Sequence, residues 1–290
     1  MSSRNVILIG GPDSGKTNFI GRLWIALRGG SGALSTSETP NEIKYVEGAV
    51  AHLHQGHFAP RTDQNLEADR SSVTIPLVLT EDGKRFSADL VVPDIFGEVW
   101  KDAVETTELA SEWMAQLESA FGALVFVRVL SKLNRDPPDW VTSAELMAYQ
   151  GANSKPTDIP TQVMLCEFLR FLELKIPNSL TGQKPRISVL VTAWDLLDPE
   201  RSVAGPRAYL QEQYPLFAGR LRDLDRFDVS IFAVSILGGD PEADEGFREV
   251  LLDSDFKSVG YVRYDFNGGI IESTDLTLPV AWAIRAQATL

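Results

Sequence analysis

The chain is poor in the residues that staple or metallate small proteins. Its one cysteine, Cys166, sits in the run VMLCEFLRFLEL. No disulfide can form within the chain, and that usage predicts a reducing, cytoplasmic setting. With apolar neighbours and no basic partner nearby, Cys166 reads as a helix residue packed inward rather than as a nucleophile. The three histidines, His52, His54 and His57, all fall in HLHQGH. No cysteine or carboxylate completes a metal set there at an obvious spacing, so the segment reads as a polar loop or helix end. Apolar runs are short: ALVFV at 123–127 is closed by Arg128, far from the ~20 apolar residues of a membrane span. The opening MSSRNVILI is too short for a secretory apolar region followed by a cleavage site. Basic residues are in deficit, 27 against 40 acidic, for a formal charge of −13. A broad basic surface for nucleic acid is thereby excluded, because neutralising phosphates needs clustered Lys and Arg. A single anionic ligand held at a helix N-terminus is not excluded.

What is present is an ordinary globular composition, 44% hydrophobic and 23% charged over 290 residues, enough to bury a substantial core. NVILI at 5–9 reads as a buried strand. NFIGRLWIALRG, with apolar residues at Phe19, Ile20, Leu23, Trp24 and Leu27, reads as a helix ended by Gly29 and Gly30. A short helical piece is expected around 42–55. SVTIPLVLT and KRFSADLVVPD, joined by the turn EDGK, read as an antiparallel hairpin. Helices are expected at 102–119, 161–176 and 204–226 and at the C-terminal end, and strands at 121–130, 187–198 and 227–237. A second hairpin is expected at 261–273 across NGG, after an acidic loop at 238–246. This alternation predicts an α/β fold in three layers: a mostly parallel sheet with one antiparallel strand from a hairpin, and helices on both faces. One domain over 1–290 is expected, with insertions near 30–60, 131–160 and 238–272.

Between the first strand and the first helix stands GGPDSGKT, residues 10–17. It fits the phosphate-loop pattern of Gly, four residues, Gly, Lys and Ser/Thr, in the strand–loop–helix context that the pattern requires. The predicted phosphate contact is the whole loop: Gly10, Gly11, Pro12, Asp13, Ser14, Gly15, Lys16 and Thr17. Gly10 and Gly15 let the chain turn tightly. Lys16 reaches the β- and γ-phosphates as a point charge, and Thr17 offers its hydroxyl to magnesium. Asp13 and Ser14 hold variable positions and receive no chemistry of their own.

Later strand ends carry further polar residues. LVVPDIFGE puts Asp94 at a strand terminus three residues before Gly97, where an Asp can hold magnesium and a Gly lets a backbone N–H near a γ-phosphate. VTAWD puts Asp195 after another strand, where a carboxylate can accept two N–H bonds from a guanine edge. Ser235, in FAVSIL, ends the next. In this order the pieces resemble the translation-factor-related (TRAFAC) class of P-loop NTPases, whose members bind and hydrolyse GTP. Within that class the chain is most similar to bacterial double-GTPase-type domains of conflict and defence systems. The resemblance implies GTP or GDP and Mg2+ as cofactors. It places Asp94 and Gly97 in the second switch, Thr192 and Asp195 on the base, and Ser235 near it. It requires a first-switch threonine on magnesium, for which Thr62 in PRTDQ is the choice ahead of Thr36, Thr39 and Thr74. It also implies an effector or activating protein as a partner.

The pattern departs from the family at three places. The lysine of [N/T]-K-x-D is absent, the sequence being Thr192, Ala193, Trp194, Asp195. That lysine's stem covers the base in relatives; here Trp194 is free to pack inward. After Gly97 comes Glu98, where many relatives carry a glutamine that orients water, so hydrolysis is expected to be slow or to need a partner. Arg61 adjoins Thr62 and is a candidate to act on the transition-state phosphate, though a solvated loop arginine fits the residues as well. Arg128 reads as the partner of a carboxylate. Two alternatives stay open: an ATPase or kinase of another P-loop class, which would want an arginine-rich lid where 131–160 holds only Arg135, and a scaffold that senses the nucleotide without turnover.

Overall fold

The computed structural model describes residues 4–36, 38–60, 73–81, 83–92, 98–137, 159–178 and 182–285. One sheet of nine strands runs through them: β1 (Arg4–Ile9), β2 (Leu34–Ser35), β3 (Val73–Glu81), β4 (Lys84–Val92), β5 (Ala120–Arg128), β6 (Arg186–Thr192), β7 (Asp228–Ser235), β8 (Tyr261–Phe266) and β9 (Gly269–Ser273). Their order is β2-β3-β4-β1-β5-β6-β7-β8-β9. The five central strands, β4 to β7 with β1 among them, are parallel. Antiparallel pairs flank them on both sides, β2/β3/β4 at one edge and β7/β8/β9 at the other. The second hairpin extends the main sheet at the β7 edge.

Nine α-helices are described: α1 (Lys16–Gly29), α2 (Ile43–His54), α3 (Glu98–Thr106), α4 (Ser111–Ser119), α5 (Thr161–Lys175), α6 (Pro199–Gln213), α7 (Pro215–Arg222), α8 (Glu245–Asp253) and α9 (Leu278–Ile284). The alternation of side chains along a strand decides which layer each strand residue joins. Val6 and Leu8 point to one face, where Phe19, Ile20, Leu23 and Trp24 of α1, Val46 of α2 and Val280 and Ile284 of α9 cover the sheet. Ile7 and Ile9 point to the other, into a core built by Trp100, Leu117, Phe168, Leu172, Leu210 and Phe217 of α3 to α7. Both faces of β1 are therefore dry, which is why its sequence is a continuous apolar run rather than an alternating one. α8 packs separately, with Leu251 against Leu53, Leu237 and Phe256.

Two predicted helices are broken. The helix expected at 102–119 is interrupted after Thr106 by Thr107, which adopts φ 57, a conformation with no composition signal when the residue is not glycine. The one expected at 204–226 begins earlier, kinks at Gly205 and Pro206, and restarts at Pro215 as the first residue of α7. Proline there has no N–H to give to the preceding helix but suits the first turn of a new one. Cys166 lies on α5, half-buried against the core, and burial pushes its thiol pKa up, so it is held as the unreactive thiol. No helix among the described residues is long and apolar enough to cross a membrane.

Phe168 is fully buried and meets Trp100 edge-on at 5.9 Å, joining α5 to α3. Phe168→Ala is expected to lower the unfolding free energy by about 3–5 kcal/mol, measured by urea denaturation; a loss below about 1 kcal/mol would show that this layer is not packed as described.

Candidate functional site

The strand order reverses at β1: the first connection leads to the hairpin on one side, and β5, β6 and β7 follow on the other. In an open parallel sheet, ligands bind beyond the carboxyl ends of strands at such a switch point. GGPDSGKT lies there, between the end of β1 and the start of α1. Asp13 has φ 58, and Gly15, the residue before the first turn of α1, has φ 88. Left-handed residues alternating with ordinary ones curl successive amides into an anion-binding concavity. The loop is also tightly seated. A Cβ on Gly10 would lie 2.7 Å from Ser14 Oγ and 2.9 Å from Phe126 Cβ, and one on Gly15 would lie 3.1 Å from Thr192 Oγ1.

Polar contacts fix its shape. Ser14 Oγ donates to the Gly11 carbonyl at 2.7 Å. Thr192 Oγ1 donates to the Ser14 carbonyl at 2.8 Å, with the Val127 carbonyl a longer contact at 3.4 Å. Lys16 is almost wholly buried, and its ammonium donates to the Gly10 and Gly11 carbonyls at 2.6 and 2.9 Å. It is thus folded over the loop. Asp13, which the sequence left without a task, pairs with Arg128 at 2.9 Å and accepts from Ser131 Oγ at 2.8 Å. Arg128 meets the expected carboxylate, and that carboxylate belongs to the loop itself.

A cleft of about 350 Å³ opens over the loop, within the range of small-ligand sites. Its floor runs from Asp13 to Asn18. One wall is the end of β6 with Thr192, Ala193, Asp195 and Leu196; another is Phe58 to Pro60; a third is Ile236, Gly239, Asp240 and Glu242; Arg128 completes the rim. Lys16, Thr17, Thr192 and Asp195 are therefore brought to one space. Trp194 is fully buried and meets Tyr209 edge-on at 5.6 Å, which leaves Ala193 and Asp195 on either side of it to border the cleft. Ala193 reaches this arrangement in a left-handed conformation, φ 56, strain of a kind that functional sites retain. Ser235 is fully buried, and its hydroxyl accepts from the Gly238 N–H at 2.9 Å. It shapes the loop that reaches the cleft through Ile236 and Gly239 rather than lining the cleft.

Helix α1 anchors the other walls. Asn18 Oδ1 accepts from the Ala59 N–H at 2.8 Å, and the Phe58 N–H donates to Glu242 at 3.0 Å. Arg22, nearly inaccessible, donates to the carbonyls of Ile236 (3.2 Å), Phe256 (2.5 Å) and Val259 (2.5 Å). Burial lowers its pKa to about 10, opposed by Asp255, so it remains a cation at neutral pH. Tyr45 of α2 donates its hydroxyl to Thr17 Oγ1 at 2.8 Å. None of these ties was read from the sequence. The one signal was a charged residue, Arg22, inside the apolar stretch NFIGRLWIAL.

Arg61, Thr62, Asp94 and Gly97 lie outside the described residues, as does the side chain of Glu98. Thr36, Thr39 and Thr74 do not line the cleft. For magnesium, the described donor is Thr17, a hard hydroxyl oxygen bordering the cleft beside Lys16. It fits that ion as one ligand of a set. His54 packs on Phe256, and His57 adjoins Arg248 at 2.8 Å.

A strand, a glycine loop and a helix at the switch point, with a carboxylate of the β6 end across the same cleft, define a nucleotide-binding protein of the P-loop class. The model of the double-GTPase 1 family matches residues 7–283, and the chain belongs to that family: it is a GTP-binding domain of the P-loop GTPase class. Among solved structures it is similar to the Roco2 RocCORdC of Methanosarcina barkeri bound to GDP, at 13% identity and a TM-score of 0.32, over 90% of this chain and 52% of that one. The chain thus spans about half the length of that protein. No curated protein matches it.

Thr192→Val removes the donor to a buried carbonyl of the loop. It is expected to destabilise the fold by about 1–3 kcal/mol and to weaken GTP binding several-fold, with Thr192→Ser restoring both. Equal GTP affinity of wild type and Thr192→Val, by titration calorimetry, would show that the loop does not depend on this bond.

Proposed function

We propose that this chain is a magnesium-dependent GTP-binding switch that hydrolyses GTP slowly, or on stimulation by a partner protein. The observation that carries this reading is that Lys16 and Asp195, 179 positions apart in sequence, border one cleft, bridged by the Thr192 bond to the Ser14 carbonyl. A nucleotide laid between them meets the loop with its phosphates and the carboxylate with its base. Asp195 accepts from the two N–H groups on the guanine edge, an arrangement adenine cannot match. The ammonium of Lys16 exchanges its two carbonyl contacts for the β- and γ-phosphates and opposes the charge that builds on the transferred group. Magnesium, when bound, neutralises phosphate oxygens, with Thr17 and, as the family resemblance implies, Thr62 and Asp94 as its protein ligands.

The remaining roles follow the same reading. Gly97 lets a backbone N–H approach the γ-phosphate, and Glu98 holds the attacking water less well than a glutamine, which suits slow turnover. Arg61 is the candidate to act on the transition-state charge. Ser235 supports the base by holding the loop at Ile236 to Gly239. One domain with insertions near 30–60, 131–160 and 238–272, acting in the cytoplasm of a bacterium in a conflict system, is the setting we propose. Its effector is a protein sensitive to whether the γ-phosphate is present.

Competition of GTP, GDP and ATP for the purified protein, with and without magnesium, tests the reading. GTP is expected to outcompete ATP by at least about 100-fold, and Lys16→Ala to weaken GTP by a similar factor, the range of a charge-assisted contact. Asp195→Asn is expected to move preference to xanthosine triphosphate, because the amide donates where the carboxylate accepted. Equal affinity for GTP and ATP would overturn the base-reading role. Single-turnover assays in which no phosphate is released, with or without cell extract, would leave a nucleotide sensor in place of an enzyme.

A further inference from the structure

A purine ring presents two apolar faces, and Asp195 meets only its edge. Ala193 stands where the family pattern has the lysine whose stem covers the base, and a methyl group offers no such cover. The β5–β6 register places Arg128 directly opposite Thr192, one residue from Ala193. Along β5, Arg128 falls on the same face as Phe126, the residue against which Gly10 of the loop is packed. Arg128 lines the cleft together with Ala193 and Asp195.

We propose that Arg128 covers the purine ring of the bound nucleotide, replacing the absent lysine from the neighbouring strand. This rests on the guanine reading of the cleft given above. The guanidinium is already positioned: Asp13 Oδ1 holds Nη1 at 2.9 Å, and Ser131 holds the other oxygen of Asp13. About a third of the Arg128 side chain remains exposed, by the 33% that the pair leaves. A planar cation fixed at its edge keeps its faces for an aromatic ring, and guanidinium stacks on such rings. Pairing with Asp13 also offsets its charge, which suits it to a base more than to a phosphate. The pair has a second consequence. It ties the base cover to the fourth residue of the phosphate loop, so the two ends of the nucleotide are gripped by connected groups.

The test measures displacement of a fluorescent GDP analogue by GTP and by tripolyphosphate, which has no base, on wild type, Arg128→Ala and Arg128→Gln. The Gln amide can still donate to Asp13, so the test stands where the alanine variant unfolds. Wild type that binds GTP no better than ATP defeats the underlying guanine reading, before any variant is compared. Given that preference, Arg128→Ala is expected to weaken GTP about tenfold, a desolvated cation–π contact, with tripolyphosphate changed less than about twofold; Arg128→Gln is expected to show the same pattern with a smaller loss. Adding Ala193→Lys to Arg128→Ala restores the family's lysine, at a backbone conformation an L-residue already adopts, and is expected to recover most of the GTP affinity. Equal losses for GTP and tripolyphosphate would make Arg128 a brace of the loop and overturn the proposal. So would unchanged GTP affinity in both variants, or a double variant no better than Arg128→Ala.

Discussion

The site depends on one short hydrogen bond, from the hydroxyl at the end of β6 to a carbonyl in the middle of the phosphate loop. The loop leaves β1 at the centre of the sheet, and its Gly15 has no room for a side chain larger than hydrogen without pressing on that same threonine. Sheet register and loop shape are thereby coupled. The parallel pairing of β5 with β6 sets where Thr192 stands, and Thr192 sets where Ser14 stands. A loop held this way pays little ordering entropy when an anion arrives, because its left-handed residues are already in place.

Helix α1 extends this constraint outward. Its first residue is the lysine over the loop, and its next turns hold the segment before the first-switch candidate through Asn18 and the β7–β8 connection through Arg22. Two walls of the cleft hang from the helix that begins at the floor. Tyr45 adds a third tie, from α2 to the hydroxyl that the magnesium reading needs. Thr17 retains acceptor capacity beside that bond, since a hydroxyl has two lone pairs. The segment at Ala59 and the β7–β8 connection are thus both tied to the helix that begins at the phosphate loop.

Much of the architecture was legible in local pattern. β1, α1, the hairpin of β3 and β4, and the strands β5 to β7 each carry a periodicity or an apolar run that fixes element type, and the loop motif needed only its flanks to be recognised. What pattern could not encode was contact between side chains far apart in sequence. Asp13 and Arg128 are 115 positions apart, Arg22 and Val259 are 237 apart; each arginine stands out as a charge in an apolar run, but nothing local names its partner. The break at Thr107 was invisible for a different reason, since threonine has no preference for the conformation it adopts there. The breaks at Gly205 and Pro215 carried their usual signals, which a long apolar pattern outweighed. Ser235 is buried, and its hydroxyl holds the Gly238 N–H of the loop that borders the cleft. Arg61, Thr62, Asp94 and Gly97 fall outside the described residues, so their roles rest on motif and resemblance alone.

The most direct test of the central claim is a crystal structure of the protein with GDP and magnesium. The β-phosphate is expected within hydrogen-bonding distance of the backbone amides of the loop and of Lys16 Nζ, and the guanine N1 and N2 groups on the Asp195 carboxylate. A diphosphate bound away from the loop, or a base turned from Asp195 towards solvent, would contradict it.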